Sequence, residues 1–266
     1  MNLKIEEAKK EFDDKNYVGA LEILNGEEFE DEYFKLVMFL KIGCLRGLNR
    51  FDEALMVINS AIEKCPYEDI FWAQKVQCHY FNGEKRNAVR ALVELERIVD
   101  RNDERALVDV SELFSLVGDD EKALKYCDMA LSIDGDFVDA VRQKSMIAGS
   151  LKDYDMMSDC ADRLLELYDK DILKLSIPFM LKLFSKRYDD ALSIVNSVGV
   201  LDDEHELLLK SAIHNAMAED LNIEIRTSAP VEITIDEVLR IFMDYHYRGV
   251  QGGEICGANY LISETE

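Results

Sequence analysis

Apolar side chains recur at helical spacing through most of this chain, and short polar breaks divide them into segments of helix length. The clearest segment runs from Phe51 to Pro66, FDEALMVINSAIEKCP. Asn49 and Arg50 make the turn into it. Ala54 and Ala61 lie two turns apart on one face, and Pro66 ends the run because proline cannot continue a helix. The segment reads as the second member of a helix–turn–helix pair.

Related blocks stand at a fixed distance along the chain. Tyr17-Val18-Gly19-Ala20 lies upstream. Downstream come Lys85-Arg86-Asn87-Ala88, Asp120-Glu121-Lys122-Ala123, Tyr154-Asp155-Met156-Met157 and Tyr188-Asp189-Asp190-Ala191. The anchor positions 20, 54, 88, 123, 157 and 191 differ by 34, 34, 35, 34 and 34. Periods of this size mark arrays in which each unit is too small to bury its own apolar face.

The Tyr17/Ala20, Phe51/Ala54 and Tyr188/Ala191 pairs set an aromatic three residues before a small residue. In spacing and residue type the units resemble tetratricopeptide (TPR) repeats, over roughly residues 3–200. The copies are degenerate: Asp120 and Lys85 replace the aromatic, and Met157 replaces the small residue. The resemblance implies an all-α, right-handed superhelix of antiparallel helix pairs.

Taken in order, repeat one spans Leu3 to Asn25, with Gly26 expected in the left-handed conformation. Repeat two opens with YFKLVMFLKIGCL, apolar nearly all round and so buried on more than one side. The side with Leu36, Phe39 and Leu40 is expected toward the concave face. Repeat three holds the only tryptophan, Trp72, expected to pack on the preceding repeat. In repeat four Leu107, Val110, Ser111 and Phe114 share one face. Repeat six carries Pro178 inside its first helix, which is expected to kink or start late. A helix over 202–219, with Leu207, Leu208, Ala212 and Ala216 on its covered side, caps the array. Residues 1–219 thus form the expected solenoid and 220–266 an appendage. Within the appendage, Thr234 and Glu237 make a capping box before a short helix over 236–247 with Phe242 as its anchor.

Composition sharpens the functional classes. The net charge of −23 repels phosphate backbones, which disfavours nucleic acid, and favours basic partners. No apolar run is long enough to span a membrane. The amphipathic start MNLKIEEAKKEF is not a signal peptide. The six cysteines form no metal-ligand spacing and suit a reducing cytoplasm. No phosphate loop or nucleophile elbow is present, so neither a cofactor, a metal nor an enzymatic activity is expected.

The resemblance also implies a groove lined by the first helix of each repeat. By register that face carries Ile5, Glu6 and Lys9, then Phe39, Leu40 and Arg46, then Ala73, Gln74 and Gln77. Arg105, Asp109 and Glu112 follow, and then Arg142, Gln143 and Met146. The carboxylate clamp of co-chaperone TPR domains needs converging lysine, asparagine and arginine. Here those places hold apolar residues, glutamines and acids, so a peptide of mixed charge with some apolar character fits better. The candidate partner-binding residues are Phe39, Arg46, Gln74, Gln77, Arg105, Asp109, Arg142 and Gln143. Arg105 and Arg142 either meet acidic groups of a ligand or pair with Asp109 and Asp139. The expected function is a scaffold or adaptor for a peptide or protein. The alternatives are a regulatory subunit whose tail controls the groove, and an enzyme built on the C-terminal segment.

Overall fold

The structure, a computed structural model, describes residues 3–26, 29–168, 172–197 and 203–220. The expected tail helix, its Phe242 anchor and the capping box lie outside them. Thirteen α-helices are present among the described residues, with a short 3-10 turn at Asp31–Tyr33. They pair as the repeats predict: α1 (Leu3–Asp13) with α2 (Tyr17–Gly26), α3 (Phe34–Gly47) with α4 (Phe51–Lys64), and α5 (Asp69–Phe81) with α6 (Lys85–Ile98). α7 (Glu104–Val117) then packs on α8 (Asp120–Ile133), ahead of α9 (Val138–Leu151). α10 (Tyr154–Leu167), α11 (Ile172–Phe184), α12 (Tyr188–Ser197) and α13 (Asp203–Asp220) follow, each packed on the next. The chain packs as two units that divide between Ile147 and Ala148.

One backbone device recurs at every turn within a pair. Lys15, Asn49, Gly83, Gly118, Lys152 and Lys186 all take positive φ, between 56° and 87°. In each case the next residue's N–H reaches back to the last helical turn. Examples are Asn16 to the Glu11 carbonyl at 2.8 Å, Arg50 to Leu45 at 2.8 Å and Asp153 to Ala148 at 2.9 Å. This is the Schellman closure, which satisfies carbonyls that the helix end leaves open. Only two of the six positions are glycine. Gly26, expected to be left-handed, is instead the last residue of α2 and has no positive φ.

Each anchor is buried. Ala20, Ala54, Ala88, Ala123 and Ala191 are fully covered, and Met157 nearly so. The first unit holds a succession of local cores. Ile5, Ala8, Leu24, Val37 and Leu40 form one, and Ile42, Leu45, Ala54, Ile58 and Phe71 belong to the next. α3 therefore feeds cores on two sides, which accounts for its near-continuous apolar character. Leu40 is in the core and is not a groove residue. Gly43 makes room for a neighbour: a Cβ there would lie 2.7 Å from the Phe12 ring.

The tryptophan behaves differently from its expected role. Trp72 is partly buried against the core of repeats three and four, and its Nε1 donates to the Pro66 carbonyl at 3.0 Å. Its neighbour Phe71, fully buried, packs into the preceding repeat instead. Leu107, Val110, Ser111 and Phe114 are all buried, as their shared face predicts. Ser111 satisfies its hydroxyl by donating to the Ala123 carbonyl at 2.8 Å.

In the second unit α11 begins at Ile172 and carries Pro178 inside it, so the helix does not start late. On α13 the covered residues are Leu209, Ala212 and Ile213, while Leu207 is exposed. This corrects the expectation for Leu207 by half a helical turn. Leu208 still packs partly on the core of Phe179 and Val195.

Lys182 is buried in this unit. Its Nζ donates to Ser158 Oγ at 2.9 Å and meets Asp162 at 2.7 Å and Asp190 at 3.4 Å. Both carboxylates are more than half exposed, so removing the amine strands no buried charge. Lys182→Met, which keeps the stem volume, is expected to leave stability within about 1 kcal/mol of wild type or to raise it. Urea titration checks this, and a loss beyond that range would make the ion cluster a net stabiliser.

Candidate functional site

The candidate face lies in the first unit, on the first helices of successive repeats. α1 packs beside α3, α3 beside α5 and α5 beside α7. On α7 the residues Arg105, Asp109 and Glu112 stand at i, i+4 and i+7, one stripe of a helix. The same stripe on α5 is Ile70, Gln74 and Gln77, and on α9 it is Asp139, Gln143 and Met146.

Side-chain bonds tie the stripes together. Arg46 of α3 donates through Nη1 to Gln74 Oε1 of α5. Arg105 of α7 donates to Asp139 Oδ2 of α9 at 2.9 Å, and Arg142 approaches Asp139 Oδ1 at 3.5 Å. Asp139 thus serves both arginines. Neither pairs with Asp109, which forms no ion pair among the described residues. Arg105 also lies over the Phe137 ring, 6.0 Å from its centroid.

Of the residues predicted from sequence, Arg46 and Gln74 meet directly, and Arg105 and Arg142 meet through Asp139. Phe39 and Gln77 are partly buried on α3 and α5, and Asp109 is exposed. Gln143 is only 6% exposed. Asp139, the bridge, is absent from the predicted site, as is Asp69, whose charge reaches Asp109 from α5. The position of Asp139 one repeat beyond Arg105 was the signal for the first. No sequence signal marks Asp69.

Asp109 and Glu112 are exposed, yet enough protein lies near them to weaken their hydration. Burial pushes both carboxyls above their ordinary values of 3.8 and 4.5. For Glu112 the neighbouring Asp109 and Asp139 add to the rise. A carboxyl whose folded pKa is raised binds more protons in the folded than in the unfolded state. Its favourable contribution is complete below the unfolded value and is lost as pH climbs through the folded value. Asp109→Asn with Glu112→Gln is therefore expected to raise the melting temperature at neutral pH. The gain should shrink toward zero at about pH 4, where the wild-type carboxyls are themselves protonated. A lower melting temperature at neutral pH would contradict this.

The buried thiols are not nucleophiles at neutral pH, since burial pushes Cys44, Cys78 and Cys127 up to about 11. His79 holds Glu84 at 2.7 Å within the repeat-three turn, and Glu84 is held low by Asn87 first and then by His79. Among the described residues no histidine, cysteine and carboxylate group is arranged to hold a metal ion, and no helix is long and apolar enough to cross a membrane.

No protein-family model matches the chain, and no curated protein matches it significantly. Among solved structures, it is similar to a tetratricopeptide repeat protein from Parabacteroides merdae. That match has a TM-score of 0.54 and 17% identity, and covers 90% of this chain and 97% of the other. It is also similar to the Cut9–Hcn1 hetero-tetramer of APC/C, at TM-score 0.51 and 14% identity, over 91% of this chain and 49% of that one. The fold is all-α, of the tetratricopeptide-repeat kind.

Proposed function

We propose that the chain is a non-catalytic scaffold or adaptor that holds a segment of another protein against the stripes of α3, α5, α7 and α9. The observation that carries this reading is the alignment of these first helices. Residues that would line such a groove then stand in register on neighbouring repeats, which the Arg46–Gln74 and Arg105–Asp139 bonds link. A peptide lying across them meets several repeats at once, which is how a repeat array offers an extended binding surface. The Cut9–Hcn1 structure, in which a similarly folded chain is part of a protein complex, is in keeping with it. The cysteines at 44, 65, 78, 127 and 160 form no disulfide among the described residues, which suits a reducing, cytoplasmic setting.

The test is a photo-crosslinking amino acid placed at Gln77, in the groove, or at Met56, which is 66% exposed on the second helix of its pair. In native lysate the Gln77 position is expected to capture a defined protein that the Met56 position does not. Equal capture from both positions would sink the groove reading.

A further inference from the structure

The second helices of the pairs are acidic, and α6 is the exception. α2, α4, α8, α10 and α12 each carry more acids than cations, whereas α6 carries four cations against two acids. Its exposed residues Arg86, Arg90, Val93 and Arg97 stand at i, i+4, i+7 and i+11, one stripe of a helix, with the exposed Val89 beside it. Counted from the anchors, the same positions hold Asp52, Met56, Asn59 and Glu63 on α4, and Asp155, Asp159, Asp162 and Glu166 on α10. All eight are exposed. In a chain of net charge −23, one second helix thus reverses both the charge and the polarity of its outer stripe.

The chain answers little of this face. Arg97 donates to Glu94 at 2.8 Å, and Glu96 is taken up by α8, where Tyr126 donates to it at 3.1 Å and Lys122 lies at 3.4 Å. Arg86 and Arg90 form no ion pair among the described residues. Val89 and Val93 are 46% and 38% exposed. Each choice works against the isolated helix. Arg86 and Arg90 repel one another one turn apart. Branched valines lose side-chain freedom in a helix, and here they bury little in return. Local rules broken without a gain inside the chain mark a contact outside it.

We propose that the outer face of α6 docks one acidic amphipathic helix of a partner protein, its apolar stripe over Val89 and Val93 and its carboxylates on Arg86 and Arg90. Arginine suits this pairing, because its planar fork meets a carboxylate through two parallel bonds. The valines, four residues apart, form the kind of ridge that packs into the groove of a second helix. Charge limits the width of the occupant. α8, tied to α6 through Glu96 and Tyr126, carries the exposed Glu121 and Asp128 at the positions of Arg86 and Val93. Packed helices lie about 8–10 Å apart, and charges are screened over about 8 Å at physiological salt. A broad anionic surface, such as a membrane or nucleic acid, would meet those acids, whereas a single helix lying along α6 would not. The face lies on a second helix, so this proposal stands independently of the groove on the first helices.

The experiment selects binders from a displayed library of helices that share a leucine stripe and vary among Glu, Lys and Gln at the flanking positions. The most enriched clone is then made as a labelled peptide of about 18 residues, long enough to hold a helix, and titrated by fluorescence anisotropy. Wild type should enrich Glu flanks, with binding that weakens as salt rises. Arg90→Glu and Val93→Asp should each weaken binding about tenfold or more. Lys125→Glu makes the same charge change as Arg90→Glu at the same repeat position of α8, and should stay within about twofold of wild type. The groove block Gln77→Trp should bind as wild type does. All four side chains lie at the surface or are partly buried, and unchanged thermal melting by circular dichroism shows that each variant is folded. Failure to enrich Glu flanks overturns the proposal, as does equal weakening by Lys125→Glu and Arg90→Glu, which would make the effect one of bulk charge. Loss with Gln77→Trp but not with Arg90→Glu would place the helix in the groove and overturn it. Binding of wild type to phosphatidylserine vesicles, or self-association at low salt, that Arg90→Glu abolishes would assign the face to a membrane or to a second copy, and either result overturns the acidic-helix partner.

Discussion

Phe71→Ala is expected to cost about 3–5 kcal/mol, the largest single loss in the first unit. Phe71 is fully buried at the start of α5, in one core with Ile42, Leu45, Ala54 and Ile58 of the preceding repeat. Truncation removes the ring from water-free surroundings and leaves a cavity between helix pairs whose backbones are held by their Schellman turns. Relaxation into that cavity is limited, so the cavity cost adds to the lost transfer energy. In an array the loss falls on one interface rather than on the whole molecule. Amide exchange should therefore accelerate in α3 to α5 before it does in α7 and α8, whose core around Leu107 and Ala123 does not include Phe71. A uniform acceleration, or a loss under about 1 kcal/mol by urea titration, would contradict the local-core picture. Trp72→Phe is a control: the indole is only partly buried, so its main loss is the bond to the Pro66 carbonyl.

The exchange of roles between Phe71 and Trp72 shows where sequence reasoning stops. Helix existence and pairing were legible because small residues at a 34-residue period have few other causes, and all six anchors are covered. Which side of a helix faces back and which forward depends on a rotation of one or two residue steps, and an amphipathic pattern does not resolve that. The same ambiguity misplaced Leu207, next to the partly buried Leu208 and the buried Leu209, and put Leu40 on the expected groove face. The left-handed conformation was expected at Gly26 and is found instead at positions such as Gly83 and Gly118, where glycine removes the steric cost. At Lys15, Lys152 and Lys186 lysine carries no such signal, and only the repeat register finds them. On the candidate face, register aligned Gln74, Asp109 and Gln143 at equivalent positions of successive repeats. It could not assign partners, because arginine reaches across a helix spacing: Arg105 bypasses Asp109, one turn away on its own helix, for Asp139 on the next.

Ala54→Leu is expected to cost about 1–3 kcal/mol, although it adds apolar volume. Ala54 has no exposed surface. It lies where α4 packs against α3 and α5, in a core with Ile42, Leu45 and Phe71. Three added carbons there must push helices apart or force strained rotamers, since interiors are already close-packed. The fifth repeat supplies the converse. Its residue at the same register position is Met157, 5% exposed, so the packing there is spaced for a long side chain. Met157→Ala should accordingly destabilise by about 2–5 kcal/mol through the cavity it leaves. One register position is thus expected to penalise gain of volume at 54 and loss of volume at 157. Met56→Leu, two residues along α4 and exposed, should change little. Urea titrations of the three variants separate the possibilities. If Ala54→Leu is as stable as wild type, the helices do not approach closely at the anchor. If Met157→Ala is neutral, the fifth repeat has the same tight spacing as the second and Met157 is not a filler.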